Sequence, residues 1–282
     1  MTNLSPQTKN LVGILTLAVM AFLASVIFSV IPSSSATSNK ILIYFYSSES
    51  NINNYKSLKM EFDRYLSRYG PYEFQPFKDR ETFEQQIKDK ERCLLLLSSW
   101  HFKNIYKDYD LTFALTGLRN GNKYQQRILV ALDTVLSIDD LIGADIASAS
   151  SVEHTMSVVS GMFKKKDATL KESVLDVPTD INALYCVVNG TSKAALITRN
   201  TFEEVEKIYP SMYRKMKILA EGRESLSLIV AIPEGFVEQA VQPIDIMKNM
   251  PTNPDGKKNM RMLGLDGWQE PDLSDRRTLE TR

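Results

Sequence analysis

The sequence predicts an α/β fold made of two units, with an extended segment between them and one apolar helix before them. Short apolar runs of strand length alternate with amphipathic helical patterns along most of the chain, an order typical of α/β proteins. The run at residues 94–97 shows no polar alternation, so we expect both faces of that strand to be buried, as in a parallel sheet. An uncharged apolar run at residues 11–31 precedes all of these elements.

This first run is long enough to cross a bilayer as a helix. Lys9 precedes it, and no further lysine or arginine follows until Lys40, which favours a cytoplasmic N-terminus with the rest of the chain outside. The Ser-Ser-Ala tripeptide that ends at Ala36 could serve as a cleavage site, so a signal peptide is the alternative to an anchor. Residues 1–36 are therefore predicted to be an anchor or signal peptide with its linker, and residues 40–271 to be exported.

The composition argues against several classes of function. The 282 residues are 43% hydrophobic and 24% charged, as in an ordinary globular protein, and 34 Lys and Arg balance 34 Asp and Glu. No basic block exceeds the three lysines at residues 164–166, which argues against nucleic-acid binding. His101 and His154 have no partners at metal-ligand spacing, so we expect neither a metal site nor a cofactor. Cys93 and Cys186 both look like small core residues, although an exported protein could join them in a disulfide.

The first unit begins with strands predicted at residues 40–46, 72–77 and 94–97. The helix after the first strand ends at Gly70-Pro71, and its inner face carries Tyr55, Leu58, Phe62, Tyr65, Leu66 and Tyr69. Asp79 can cap the next helix, which carries Phe83 and Ile87 inward. In the middle segment, strand-like residues 111–118 and 127–132 flank the turn signal Asn120-Gly121.

The second unit repeats the alternation. A short helix at 138–141 leads to a strand and then to a helix at 152–166 whose inner face carries Val152, Met156, Val159 and Phe163. The further elements predicted are strand 173–177, helix 179–188, strand 193–198, a helix opened by a capping box at 201–204, strands 217–220 and 226–232, a helix from Asn253-Pro254 to Gly264, and a frayed tail at 272–282. We expect one lobe at about 40–125 and 216–271, and the other at about 126–215.

The serine elbow, Ser148-Ala149-Ser150-Ser151, is the most informative motif. It joins a predicted strand to a predicted helix. Hydroxyl groups and unpaired N–H groups at a helix start favour an anion site, although serine also caps helices without any ligand.

Further candidates follow two strands of the first unit. Ser47, Ser48 and Ser50 come after the first strand, in a ligand cleft or in a solvated turn. Ser98 and Ser99 end the buried strand at 94–97, where small polar residues favour a binding site. Trp100 next to them is either an apolar wall for a ligand or a packing residue between the lobes. Catalysis is not expected, because the elbow lacks the flanking glycines and the base of a serine hydrolase.

The order of these motifs resembles the phosphonate-binding family of periplasmic solute-binding proteins of ABC importers. The matching segments are Ser98-Ser99-Trp100-His101, the serine elbow, Ala183-Leu184, Val187, Asn189-Gly190, Ala194-Ala195, and the stretch from Asn253-Pro254-Asp255-Gly256 to Trp268. The resemblance implies a two-lobed periplasmic-binding-protein (Venus flytrap) fold with a hinge. It also implies that the serine elbow contacts the anionic group of a solute, and that an ABC permease is the partner.

Two departures from the family pattern concern the ligand. Asp180 falls where many members of the family have a histidine that faces the phosphonate, and a carboxylate there would repel a dianion. Lys193 and Thr198 fall where members usually carry aspartates. We therefore expect an anionic solute other than an ordinary aminoalkyl-phosphonate. The alternative is a membrane-anchored sensor or scaffold module that uses the same fold without transport.

Overall fold

The chain forms two mixed β-sheets, each covered by helices on both faces. The computed structural model describes residues 40–49, 52, 54–88, 90–163 and 174–280. The apolar run predicted at 11–31 lies outside these residues. Among the described helices, none has the length and apolar character that a bilayer-spanning segment needs.

The first sheet contains six strands in the order β11-β4-β10-β3-β1-β2. Its strands are β1 (Ile41–Tyr46), β2 (Tyr72–Pro76), β3 (Cys93–Leu97), β4 (Leu111–Leu118), β10 (Ile229–Pro233) and β11 (Gly267–Gln269). β1 runs parallel to β2 and β3, whereas β10 and β11 are antiparallel to their neighbours. All five residues of β3 are buried and alternate between two core clusters, which confirms the prediction that both faces of this strand are covered.

The second sheet contains five strands in the order β7-β6-β8-β5-β9. Its strands are β5 (Tyr124–Leu132), β6 (Ile146–Ser148), β7 (Val174–Asp176), β8 (Ala194–Thr198) and β9 (Met216–Leu226). The chain crosses between the sheets twice, from β4 to β5 and from β9 back to β10. Asn120 (φ 52°) and Gly121 (φ 71°) form the predicted turn at the first crossing, but the strands on either side of it pair in different sheets.

Ten α-helices are described, and they connect or cover these strands. They are α1 (Tyr55–Leu66), α2 (Arg80–Ile87), α3 (Ser99–Ile105), α4 (Val152–Met162), α5 (Asp180–Val188), α6 (Arg199–Ile208), α7 (Pro210–Tyr213), α8 (Val241–Lys248), α9 (Pro254–Met262) and α10 (Leu273–Glu280). The N-caps predicted at Asp79 and Asn253 are confirmed, because each carboxyl or amide oxygen accepts an N–H of the first turn at 2.8 Å.

Several sequence predictions need correction. The capping box at Thr201 is wrong, because the Thr198 hydroxyl caps α6, which begins at Arg199. Val152 is half exposed, since the first turn of α4 buries His154 and Thr155 instead. β9, which falls in the range expected for the first lobe, pairs in the second sheet. The two cysteines are free thiols, as expected for core residues rather than a disulfide, although Cys186 is only half-buried.

The C-terminal segment is also better ordered than predicted. Residues expected to form a frayed tail contain helix α10. Lys123 in the first crossing makes ion pairs of 2.6 Å with Asp272 and 2.9 Å with Asp275. Asp275 and Leu279 are buried, so charge pairing and apolar packing both hold this helix against the body of the protein.

Candidate functional site

A cleft of about 260 Å³ lies between the two sheets, and both lobes line it. The first sheet contributes residues that follow β1, β3 and β4, and the second contributes residues of β5 and the starts of α5 and α6. The polar residues that line this cleft are Ser47, Glu49, Ser98, Arg119, Gln125, Arg127, Thr179, Asp180, Thr198, Thr201, Glu204 and Ser227. Phe45, Leu228, Leu263 and Leu265 supply much of its apolar wall.

Arg127 occupies the centre of the cleft on strand β5. It is 5% exposed, in a strand whose next four residues are fully buried apolar side chains. One guanidinium nitrogen lies 3.4 Å from Asp180 Oδ1, and another donates to the main-chain oxygen of Glu49 in the other lobe. Its Nε is buried and has no hydrogen-bond partner. The sequence signal for Arg127 is a charge inside an apolar strand, and this residue is not among those predicted for the site.

Asp180, predicted as a ligand residue, lies in the cleft at the start of α5. Its Oδ2 accepts hydrogen bonds from the Thr198 N–H at 2.8 Å, the Thr198 hydroxyl at 2.9 Å and the Thr201 hydroxyl at 3.2 Å. Together with the Arg127 ion pair, these hydrogen bonds compensate the negative charge of the Asp180 carboxylate within the protein. Lys193 points elsewhere, since its ammonium donates to the Asp140 carbonyl.

Arg119 is the second arginine of the cleft, and it too is absent from the residues predicted for the site. It is half-buried at the end of β4, and its Nε donates to the Gly264 carbonyl at 2.9 Å. Among the described residues, no carboxylate lies within the 4.0 Å of an ion pair to its guanidinium. Burial lowers the pKa of this guanidinium, and the nearby Arg127 charge acts in the same direction, whereas the charges of Asp180, Glu49 and Glu204 oppose this shift. An arginine nevertheless keeps its charge at neutral pH.

The serine elbow contacts the first lobe directly. The Ser151 N–H donates to the Ser48 carbonyl at 2.8 Å, and the Ser150 hydroxyl donates to the Glu49 carbonyl at 3.2 Å. Within the second lobe, the Ser148 hydroxyl accepts from the Thr155 hydroxyl at 2.9 Å and from the Ser150 N–H at 3.1 Å. The hydroxyl and N–H groups of the elbow are thus hydrogen-bonded to other protein atoms, as in a helix cap.

The serines of the first lobe have different environments. Ser47 lines the cleft, whereas Ser50 lies outside the described residues. Ser48 and Ser98 share a buried hydroxyl–hydroxyl hydrogen bond of 2.5 Å. Ser99 lies away from the cleft lining, and its hydroxyl donates to the Leu226 carbonyl at 2.7 Å, next to the second crossing.

Trp100 contacts the second lobe. Its Nε1–H donates to the Ser157 hydroxyl on α4 at 3.1 Å, and its ring meets the His154 ring edge-to-face at 5.5 Å between centroids. The Arg80 guanidinium lies 5.7 Å from the centroid of the Trp100 ring. These contacts fit the prediction of packing between the lobes better than that of a ligand wall.

Glu49 and His154 form a buried polar contact between the lobes. Glu49 Oε2 accepts from the Gln125 amide, while Oε1 has no hydrogen-bond partner and lies 3.8 Å from His154 Nε2. Burial raises the pKa of Glu49, although the charge of Arg127 opposes this shift. Burial also lowers the pKa of His154 to about 3, with the Arg127 charge acting in the same direction. Burial thus shifts both groups towards their neutral forms at this contact.

Solved structures of binding proteins share this fold. A binding protein component of an ABC phosphonate transporter from Pseudomonas aeruginosa has a TM-score of 0.62 at 18% identity, covering 86% of this chain and 85% of that chain. For XAC2383 from Xanthomonas citri bound to ATP, the TM-score is 0.62 at 13% identity, with 86% and 94% covered. For PhnD1 from Prochlorococcus marinus in complex with methylphosphonate, it is 0.59 at 11% identity, with 86% and 96% covered.

Curated protein sequences give no significant match to the chain. The family model described as "ABC transporter, phosphonate, periplasmic substrate-binding protein" matches residues 42–276, which is most of the sequence. The two-sheet architecture with a cleft between the lobes agrees with that match. The chain therefore belongs to the phosphonate-binding family of periplasmic substrate-binding proteins of ABC transporters.

Proposed function

We propose that the interlobe cleft binds a small anionic solute and delivers it to an ABC permease. The observation that carries this proposal is the pair of arginines in one small cleft, of which only Arg127 has a carboxylate partner among the described residues. A partly buried guanidinium without a carboxylate at ion-pair distance is costly, and an anionic ligand would compensate it with charge-assisted hydrogen bonds.

The size of the cleft supports a small ligand. Its volume of about 260 Å³ is below the range of about 300–1,000 Å³ that drug-sized ligands occupy. Methylphosphonate, the ligand of PhnD1, is small enough for such a space. ATP, the ligand of XAC2383, is too large for the cleft as it stands.

The two crossings between the sheets support binding by hinge closure. Residues from both lobes line the cleft, so a ligand that contacts both would stabilise the arrangement in which they lie together. The direct contact of Ser150 and Ser151 with the first lobe is consistent with a form in which the lobes already meet. Family membership supports this role, and no observation favours the sensor or scaffold alternative.

A ligand screen tests the proposal. The exported domain, residues 40–282, is titrated with methylphosphonate, methanesulfonate, acetate and inorganic phosphate, with choline as a cationic control. At about 100 times its Kd, a ligand should add about 2.7 kcal/mol to the free energy of unfolding, measured by thermal shift and confirmed by calorimetry. At least one anion should stabilise the protein while choline does not. Absence of stabilisation by all of the anions would contradict the proposal.

We also propose that residues 11–31 keep the protein at the inner membrane, in line with their uncharged apolar sequence. Fractionation followed by N-terminal sequencing tests this. Membrane-bound protein that retains Met1 supports an anchor, whereas soluble periplasmic protein that begins at Thr37 indicates a cleaved signal peptide. We expect no catalytic step, because the Ser151 hydroxyl accepts the His154 main-chain N–H as a helix cap.

A further inference from the structure

We infer that Arg119 binds the oxyanion of the solute, and that the serine elbow instead holds the two lobes together. This inference rests on the proposed function and deepens it, because it assigns the anion to one side of the cleft and specifies the charge of the ligand.

The first step concerns the elbow. The hydrogen-bond donors that a ligand would need there are directed at the main chain of the other lobe, namely Ser151 N–H at Ser48 and the Ser150 hydroxyl at Glu49. A ligand anion could take this place only by displacing two carbonyl groups, whose own hydrogen bonds would then be lost. The Ser48–Glu49 segment thus occupies the helix start as an internal substitute for a ligand.

The second step concerns Arg127. This guanidinium is already bonded to Asp180 and to the carbonyl of Glu49, and it is almost fully buried. Its charge is therefore compensated within the protein. The Arg127 guanidinium can still attract an anion at long range. Its Nε, which has no hydrogen-bond partner, is one further donor.

The third step concerns Arg119, whose terminal guanidinium N–H groups are available to a ligand. Only its Nε has a described hydrogen-bond partner, and the guanidinium lines the cleft. Gly264 makes room for it: a Cβ at Gly264 would lie 2.8 Å from one terminal nitrogen of Arg119. The planar group is thus held by Gly264 at one nitrogen and leaves its two terminal nitrogens for a ligand. Two parallel N–H donors match the two oxygens of a carboxylate, sulfonate or phosphonate group.

The fourth step is a charge count. Arg119 and Arg127 carry two positive charges, and Asp180 cancels one of them. Glu49 and Glu204 also line the cleft; burial raises the pKa of Glu49, and solvent screens the exposed Glu204. At most one uncompensated positive charge remains, so the cleft complements a singly charged oxyanion better than a dianion.

Calorimetry with matched variants of the exported domain tests this inference. The probes are methanesulfonate, acetate and methylphosphonate at neutral pH. Arg119→Ala should weaken binding of the best probe at least 30-fold, and Arg119→Lys, which keeps the charge but loses the planar pair of donors, should weaken it less. Ser150→Ala should stay within about threefold of the wild type. Arg214→Ala removes an exposed arginine outside the cleft and should bind as the wild type does.

The possible outcomes separate this inference from the proposed function. If the wild type binds none of the probes, the proposed function fails, and the inference fails with it. If the wild type binds but Arg119→Ala binds equally well, or Ser150→Ala loses as much affinity as Arg119→Ala, only the inference is overturned. Circular dichroism and melting temperature check the fold of each variant, and Arg119→Lys provides the decisive comparison if Arg119→Ala does not fold.

Discussion

Helices α3 and α4 begin in the same way but in different surroundings. Each is capped by a serine, Ser98 or Ser151, whose hydroxyl accepts the N–H of a histidine three residues later at 3.2 Å. Both histidines are buried. At the start of α3, Ser98 and His101 bond to side chains of the first lobe, although Trp100 contacts the second lobe. At the start of α4, the donors of Ser150 and Ser151 are directed at the other lobe.

The difference between the two lies in how well each histidine is paired. His101 Nε2 is 2.8 Å from Glu84 Oε1 within its own lobe. His154 Nε2 is 3.8 Å from Glu49 Oε1 across the boundary between lobes, which is too long for a hydrogen bond. Of the two buried histidines, only the one whose partner lies in its own lobe is thus hydrogen-bonded to a carboxylate. The His154–Glu49 contact would therefore be lost at low cost if the lobes separated.

The largest predicted effect is acid destabilisation through the two buried histidines. Burial lowers the pKa of His101 to about 4 and that of His154 to about 3, against an ordinary value of 6.5. Between these values the unfolded state binds protons that the native state does not, so stability is lost as the pH falls from about 6.5 to about 4. The contribution of His101 should be on the order of 3 kcal/mol, measured by urea unfolding across this range. His101→Gln should show a flatter profile, and an unchanged slope would contradict the assignment.

A smaller effect is expected from the two caps. Ser98→Ala removes a cap and the buried hydrogen bond to Ser48, so it should cost about 2 kcal/mol. Ser151→Ala removes the cap to His154 and a side-chain contact with Tyr46, and it should cost about 1 kcal/mol. Ser160→Ala, at an exposed position of α4, is the control and should stay within about 0.5 kcal/mol. Equal losses for the two caps, measured by denaturant unfolding, would contradict the comparison.

The smallest effect on stability concerns a contact between lobes. Trp100→Phe removes the exposed hydrogen bond to Ser157 and should change stability by less than about 1 kcal/mol. It should nevertheless shift ligand affinity a few-fold, because the contact exists only when the lobes meet. Ser157→Ala should give the same shift, and the double variant should add little to either. Additive shifts by calorimetry would show that the two residues act separately.

Much of the fold could be predicted from the sequence because its signals are local. Caps at Asp79 and Asn253 depend on residues three apart, and the burial of β3 depends on its own five residues. The cleft was predicted less completely, because its charges interact over long sequence distances. Arg127 pairs with Asp180 and contacts Glu49 in the other lobe, and no local pattern indicates which distant charges meet.

Partners far away in the sequence also explain the surroundings of the elbow and the order of the C-terminal segment. The elbow had the local pattern of an anion site, yet its donors are directed at Ser48 and Glu49, about a hundred residues earlier in the chain. The polar C-terminal segment had the composition of a tail, yet Lys123 supplies the charge that orders it. In both cases a partner far away in sequence decides the role of the residues.

Helix α10 gives the C-terminal end of the chain a mechanical role. Lys123 and Tyr124 mark the first passage between the lobes, and Asp275 contacts both, at 2.9 Å each. Any rotation of one lobe against the other must be absorbed by main-chain torsions at such passages. A chain shortened before Leu273 would keep every residue of the cleft, but Lys123 and Tyr124 would lose their contacts with Asp275. The stiffness of this joint, and with it the energy needed to part the lobes, is therefore set by residues that touch no ligand.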